Sequence, residues 1–241
     1  MIYYFKRGEW DMSIKEKERN LFSIWKEEQG YEYFIYDGVF DAEELNRQTH
    51  RILFVLKEAN WENANADLCE FLLSESSSGY WKTWNNIARW SKAILEGGNY
   101  PKYISKSDKT YWLKKVIAMN LKKVGGDDTA EDEVIYSYAH RDRKFLKKQI
   151  ELYAPDIIIC CGRGTGKNAD ILHDVVFEKD EVSEWQEPIL QYNYFLAKIN
   201  DKENVPVVSF YHPQMRGSHQ LFERRFEEMK YIASELKARY L

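Results

Sequence analysis

Four short runs of mostly β-branched and other apolar residues lie far apart along the chain: RILFVL (51–56), KVIAMNL (115–121), DIIICC (156–161) and PVVSFY (206–211). Each is nearly continuous rather than alternating, which suits a strand covered on both faces, as in a parallel sheet. Parallel neighbours need long crossover connections, and the intervals carry helical patterns. These span 13–29, Tyr80 to Glu96, Glu131 to Leu152, Thr165 to Asp174 and Ser218 to Tyr240, with a short one near Ala42 to Asn46. In the first, Ser13 stands where a cap belongs. Ile14, Leu21, Phe22 and Trp25 form an apolar stripe, and Gly30 marks the stop. The last carries Leu221, Phe222, Phe226, Met229, Ile232 and Leu236 at helical spacing. Strands alternating with helices predict a three-layer α/β/α fold around a central, mainly parallel four-stranded sheet. Residues 1–241 read as one domain, with 1–49 as an N-terminal elaboration. The charged, glycine-containing stretches 97–108 and 122–132 read as excursions over the surface.

Charge and cysteine usage narrow the function classes. The net charge of -4 counts against a protein that coats nucleic acid through bulk charge, although 35 Lys and Arg residues leave room for a local basic groove. Aromatic residues reach 15%, enough to serve a pocket or surface as well as a core. Cys69, Cys160 and Cys161 form no CxxC pair, so neither a structural zinc site nor a disulfide framework is expected. The start MIYYFKRGEW lacks a long apolar segment, and no 18-residue apolar stretch occurs. A soluble, cytoplasmic protein with no membrane partner is the expectation.

In a parallel α/β sheet, ligands bind at the carboxyl ends of the strands. That rule selects 57–61, 120–123, 162–166 and 211–214. The run CGRGTGKN fails as a phosphate loop, because Cys161 stands where a glycine is needed and Asn168 follows Lys167. It reads as a close-packed strand-to-helix turn whose amides, near Gly164 and Thr165, could still bind a phosphate oxygen of a nucleic acid at the helix start. His212 and His219 are separated by the helix breakers Pro213 and Gly217 with no acidic residue between them, so no metal site is expected. There is no GxSxG elbow, and the paired cysteines sit inside an apolar run as small buried thiols. No cofactor is implied.

The strand-end residues form a more coherent set. Asn120 can present an acceptor and a donor to the edge of a planar ligand. His212 can donate to an oxygen that gains negative charge. Glu58 can orient a water or stabilise a developing cation. Trp61 offers a stacking surface, with Asn60 beside it. Amide, imidazole and carboxylate would crowd around one cavity sized for a pyrimidine.

With these residues in view, the chain resembles the uracil-DNA glycosylase superfamily over roughly residues 50 to 235. ILFVLKEAN is similar to its first core strand and following loop, IAMNLKKVGG to its uracil-reading strand, PDIIICCGRGTG to its third strand and small-residue turn, and VVSFYHPQMRGSH to its fourth strand and His-Pro loop. The resemblance implies that Asn120 pairs with the uracil edge, that His212 donates to uracil O2 as the glycosidic bond breaks, and that Glu58 stands in the place of a water-activating aspartate. It implies that Pro213, Gln214, Met215 and Arg216 press into the minor groove, with Met215 or Arg216 filling the gap left by an extruded nucleotide. Two departures stand out. Lys57-Glu58-Ala59-Asn60 replaces the family's Gly and Pro, and the four cysteines of its iron–sulfur branch are missing. The expected partner is DNA, single-stranded included, or a uracil-containing small molecule. The expected activity is hydrolysis of the N-glycosidic bond of a flipped uracil or related base. A non-catalytic nucleic-acid-binding module, a hydrolase of free nucleosides or nucleotides, and a structural α/β protein remain as alternatives.

Overall fold

The structure, a computed structural model, describes residues 12–74, 81–126 and 129–241. The segment MIYYFKRGEW, the first residue of the expected 80–96 helix and part of the 122–132 stretch lie outside them. The helices are α1 (Ile14–Glu28), α2 (Ala42–Asn46), α3 (Leu68–Leu73), α4 (Lys82–Leu95), α5 (Lys106–Leu113), α6 (Asp132–Tyr153), α7 (Asn168–Ile171) and α8 (His219–Tyr240). The strands are β1 (Ile35–Tyr36), β2 (Gly38–Val39), β3 (Ile52–Leu56), β4 (Ala66–Asp67), β5 (Ile117–Asn120), β6 (Ile157–Cys161), β7 (Tyr194–Ile199) and β8 (Lys202–Phe210). Among the described residues, no helix is long and apolar enough to cross a membrane.

Local chemistry sets the helix ends. Ser13 and Glu16 form a reciprocal capping box at the start of α1. Gly30, at φ 64°, takes the left-handed turn beyond its end. Ser218 caps α8 by accepting from the Leu221 N–H. The 97–108 stretch is less of an excursion than its charge implies. Ser105 and Asp108 form a second capping box, and α5 buries Trp112 and Leu113.

The main sheet has the order β2-β5-β3-β6-β8-β7. The four apolar runs supply its four parallel neighbours, β5, β3, β6 and β8. The sheet has six strands, not four, because an antiparallel strand closes each edge. β2 is only two residues long, and β7 places Lys198 among its apolar residues, so neither gives a continuous apolar run. β7 and β8 form a hairpin whose turn holds Asn200 in the left-handed region, at φ 53°.

Alternate strand residues feed opposite layers. Phe54, Leu56, Ile159 and Phe210 face a core shared with α4, α5 and α8. Leu53, Val55, Ile158 and Val207 face a core shared with α1 and α6. Both faces are covered, which explains why these strands read as unbroken apolar runs. Residues 14–46 belong to this architecture. Phe22, Trp25, Phe34, Val39 and Leu45 are all buried in the second core, and β2 pairs with β5.

The crossover after β3 packs on one face and α6, after β5, on the other. The carboxyl ends of the parallel strands, from which these crossovers leave for opposite faces, are the usual ligand position in such sheets.

Candidate active site

The loops after β3 and β5 are stitched together beyond the strands. The Leu121 N–H donates to Leu56 O (3.0 Å), Lys122 N–H to Lys57 O (2.9 Å) and Gly126 N–H to Ala59 O (2.9 Å), while Trp61 N–H returns to Gly126 O (3.3 Å). The approach is too close for side chains. A Cβ on Gly126 would lie 2.0 Å from the Glu58 carboxyl carbon, and one on Gly125 would lie 2.2 Å from Trp61 O. Glu58 and Trp61 are thus held at the mouth of a cavity of about 750 Å³. Asn60, Asn120, His212 and Gln214 line the same cavity, with Trp81 and Trp84 in its walls and Lys57 and Lys82 at its charged side. The volume exceeds that of a pyrimidine ring, for which the sequence reading expects a fitted cavity. Trp61 meets Phe71 edge-on at 4.8 Å, and Phe71 packs on Trp81 at 5.1 Å, so the aromatic wall is continuous.

His212 arrives directly after β8 in a turn closed by the Met215 N–H on His212 O (3.1 Å). Its Nδ1 accepts the backbone N–H of Gln214 (3.2 Å). An accepting Nδ1 assigns the ring proton to Nε2, so the neutral imidazole is a donor from Nε2. Burial, and secondarily the Lys57 ammonium, hold its pKa below the usual histidine value of 6.5, which favours that neutral form. The loop is fixed from α4. Asn86 Nδ2 donates to Pro213 O (2.7 Å), and Arg89 holds Asn86 Oδ1 (3.1 Å) while reaching Pro101 O and Lys102 O.

Glu58 is not solitary. Its Oε2 is paired with Lys122 Nζ at 2.5 Å, their side chains being 7% and 9% exposed, and Lys122 also donates to Gly125 O (3.1 Å). Oε1 carries no hydrogen bond among the described residues. Glu58 and Trp61 also border a second recess of about 450 Å³ beside Lys122 and Glu131. Lys57 pairs with Asp132 at the start of α6 (2.5 Å), and Lys167 shares the same carboxylate, so two cations meet one anion beside the cavity.

Asn120 ends β5 and is 2% exposed. Its backbone N–H and its Nδ2 both donate to Asp37 Oδ2, at 2.7 and 3.2 Å. Asp37 is held in turn by the fully buried Lys123 (2.7 and 2.8 Å) and by Gln149 Nε2 (2.9 Å). The network continues through Gln149 to the Tyr153 hydroxyl (2.7 Å) and from there to Glu18 (2.7 Å). Gly38 makes this possible. At φ 114°, its missing Cβ leaves room for Glu18 Oε1 and the Tyr153 hydroxyl. The strand-end rule reaches Lys122 and Lys123 only as members of the 120–123 segment, with no role given to either, and does not reach Asp37.

No family model and no curated protein matches the chain. Its function has to be argued from the cavity.

The remaining expected residues fall elsewhere. Pro213 is buried, and its carbonyl is engaged by Asn86. Met215 is half-buried against the first core, so of the two wedge candidates only Arg216 is exposed. Neither Met215 nor Arg216 lines the cavity. Gly164 and Thr165 are exposed in the loop after β6 and also lie outside it. The amide of Gly166 already donates to Asp170 Oδ2 (2.7 Å), so the protein's own carboxylate fills the anion position at that turn. Asn168 instead ties the turn to the sheet, its Nδ2 donating to Val55 O and Cys161 O. Cys69, Cys160 and Cys161 are buried free thiols whose pKa values burial pushes up, which makes them poor nucleophiles.

Proposed function

We propose that the cavity cleaves the N-glycosidic bond of a flipped uracil or related base in DNA, in the manner of the uracil-DNA glycosylase superfamily. The observation that carries this reading is the Gln214 N–H on His212 Nδ1, which leaves a neutral imidazole donating from Nε2 in the cavity shared with Asn120 and Glu58. Bond cleavage leaves negative charge on the base oxygen and positive character on the sugar. A preorganised neutral donor stabilises the first, since it needs no proton transfer before the bond breaks. Glu58, whose Oε1 has no hydrogen bond among the described residues, serves the second and can orient water. Lys122 holds that carboxylate in place. Asn120 reads the base edge. Tryptophans 61, 81 and 84 enclose its faces.

Release of free base from uracil-containing single- and double-stranded oligonucleotides tests the proposal. His212→Ala is expected to slow release by on the order of 100-fold or more, the usual effect of losing one such donor. No release by the wild type, or unchanged release by His212→Ala, overturns it.

One observation favours a second reading, a hydrolase of free nucleosides or nucleotides. A cavity of about 750 Å³ bordered by Lys57 and Lys82 has room for a sugar and phosphate as well as a base. Turnover of free deoxyuridine or its phosphates with oligonucleotides inert would select it.

A further inference from the structure

Asp37 sits in the turn between β1 and β2, in a segment that supplies no side chain to the cavity lining. Its carboxylate is nevertheless built into the base-reading residue. Oδ1 accepts from Lys123 Nζ (2.7 Å) and Gln149 Nε2 (2.9 Å). Oδ2 accepts from Lys123 Nζ (2.8 Å), the Asn120 backbone N–H (2.7 Å) and Asn120 Nδ2 (3.2 Å). Every one of these partners is a donor. The side chains of Asp37 and Lys123 are 1% and 0% exposed, so bulk water does not compete.

An asparagine carboxamide has two nearly isosteric orientations, and its surroundings choose between them. Against an acceptor-only carboxylate the amino group must face Asp37, because the reverse orientation would set oxygen against oxygen in a dry site. The carbonyl branch is then left for the cavity, where Asn120 Oδ1 has no hydrogen bond among the described residues. Beside it lies the second amino hydrogen. An acceptor next to a donor complements a ring N–H next to a carbonyl, the imide edge of uracil. Cytosine presents a ring nitrogen acceptor next to an amino donor and meets this arrangement in the wrong polarity.

We propose that Asp37 is the specificity-determining positioning residue of the site: by fixing the orientation of the Asn120 carboxamide it makes the cavity accept imide and lactam edges and reject the amino-substituted edges of cytosine and adenine. The inference rests on the glycosidase reading of the cavity and adds to it a residue remote in sequence and screened from the base.

The test uses Asp37→Asn combined with Lys123→Met in the full chain. Removing both charges together avoids stranding one in the core, and circular dichroism checks the fold. Free uracil and free cytosine are titrated into each protein and followed by NMR, with the Asn120 side-chain amide signals assigned by their loss in Asn120→Ala. The wild type is expected to prefer uracil and to show slowly exchanging Asn120 amide hydrogens. In the double variant a neutral amide at position 37 can donate or accept, so the Asn120 carboxamide is free to turn. The uracil-to-cytosine preference should fall by about 10-fold or more, and the amide protection should disappear. A folded double variant with an unchanged preference overturns the proposal. Should the double variant not fold, rapid exchange of the Asn120 amide in the wild type overturns it, and slow exchange retained with uracil bound supports it. A wild type that binds neither base while its Asn120 amide stays protected sinks the glycosidase reading and the selectivity together, whereas uracil binding with an unaltered preference sinks the Asp37 inference alone.

Discussion

His212 carries the most specific chemistry in the molecule, and its environment gives that chemistry a pH signature. Protonation would place a hydrogen on Nδ1 opposite the Gln214 N–H, setting two donors face to face and releasing the loop. Because burial and Lys57 depress the pKa, the unfolded chain takes up this proton at a higher pH than the folded one. The native state is therefore relatively favoured above roughly pH 6.5, the unfolded histidine value, and loses that advantage as the pH falls towards the folded pKa. Thermal unfolding of the wild type should show a lower midpoint at pH 5.5 than at pH 7.5, and His212→Gln should flatten that difference. An identical pH slope in the variant would contradict the buried neutral assignment. His212 was legible in the sequence because a strand ended on His-Pro, a local pattern. Asp37 was not, because its role depends on Asn120, Lys123 and Gln149, which lie 83, 86 and 112 residues away along the chain.

Between elements, the decisive contact is the seam joining the β3 and β5 loops, where Gly126 backs directly onto Glu58. Gly126→Ala would drive a methyl group into the carboxylate. The Glu58 side chain can swing aside, so the expected result is displacement from Lys122 with a modest loss of stability, on the order of 1 kcal/mol. Base release should fall by tenfold or more, as misplacing a catalytic group does. Measuring turnover beside thermal stability checks the contrast; equal and small effects on both would show that the seam does not position Glu58. At this scale the central strands and long helices were readable from apolar runs and caps. β2, β7 and α5 were not, because a two-residue strand, an edge strand interrupted by lysine and a highly charged helix owe their form to neighbours rather than to their own pattern.

For the molecule as a whole, the N-terminal residues are part of the frame. Deleting residues 1–49 would strip Phe22, Trp25, Phe34, Val39 and Leu45 from the second core and leave Lys123 buried without Asp37. Each such apolar side chain is worth roughly 1.5–3 kcal/mol when buried, so the loss rivals the total stability of about 5–15 kcal/mol typical of a domain. The shortened chain should fail to give a cooperative unfolding transition by circular dichroism. A cooperatively folded product would show that the segment is dispensable. The sequence by itself determined the layered α/β class, the four parallel strands and the presentation of Glu58, Asn120 and His212 at strand ends, since apolar continuity and strand polarity are local properties of the chain. Only the tertiary structure decided that Glu58 is paired with Lys122, that Met215 is packed away, that Asp170 occupies the glycine-rich turn and that Asp37 orients Asn120. Those outcomes depend on which donors and acceptors meet inside a dry interior, and no single stretch of sequence specifies such a meeting.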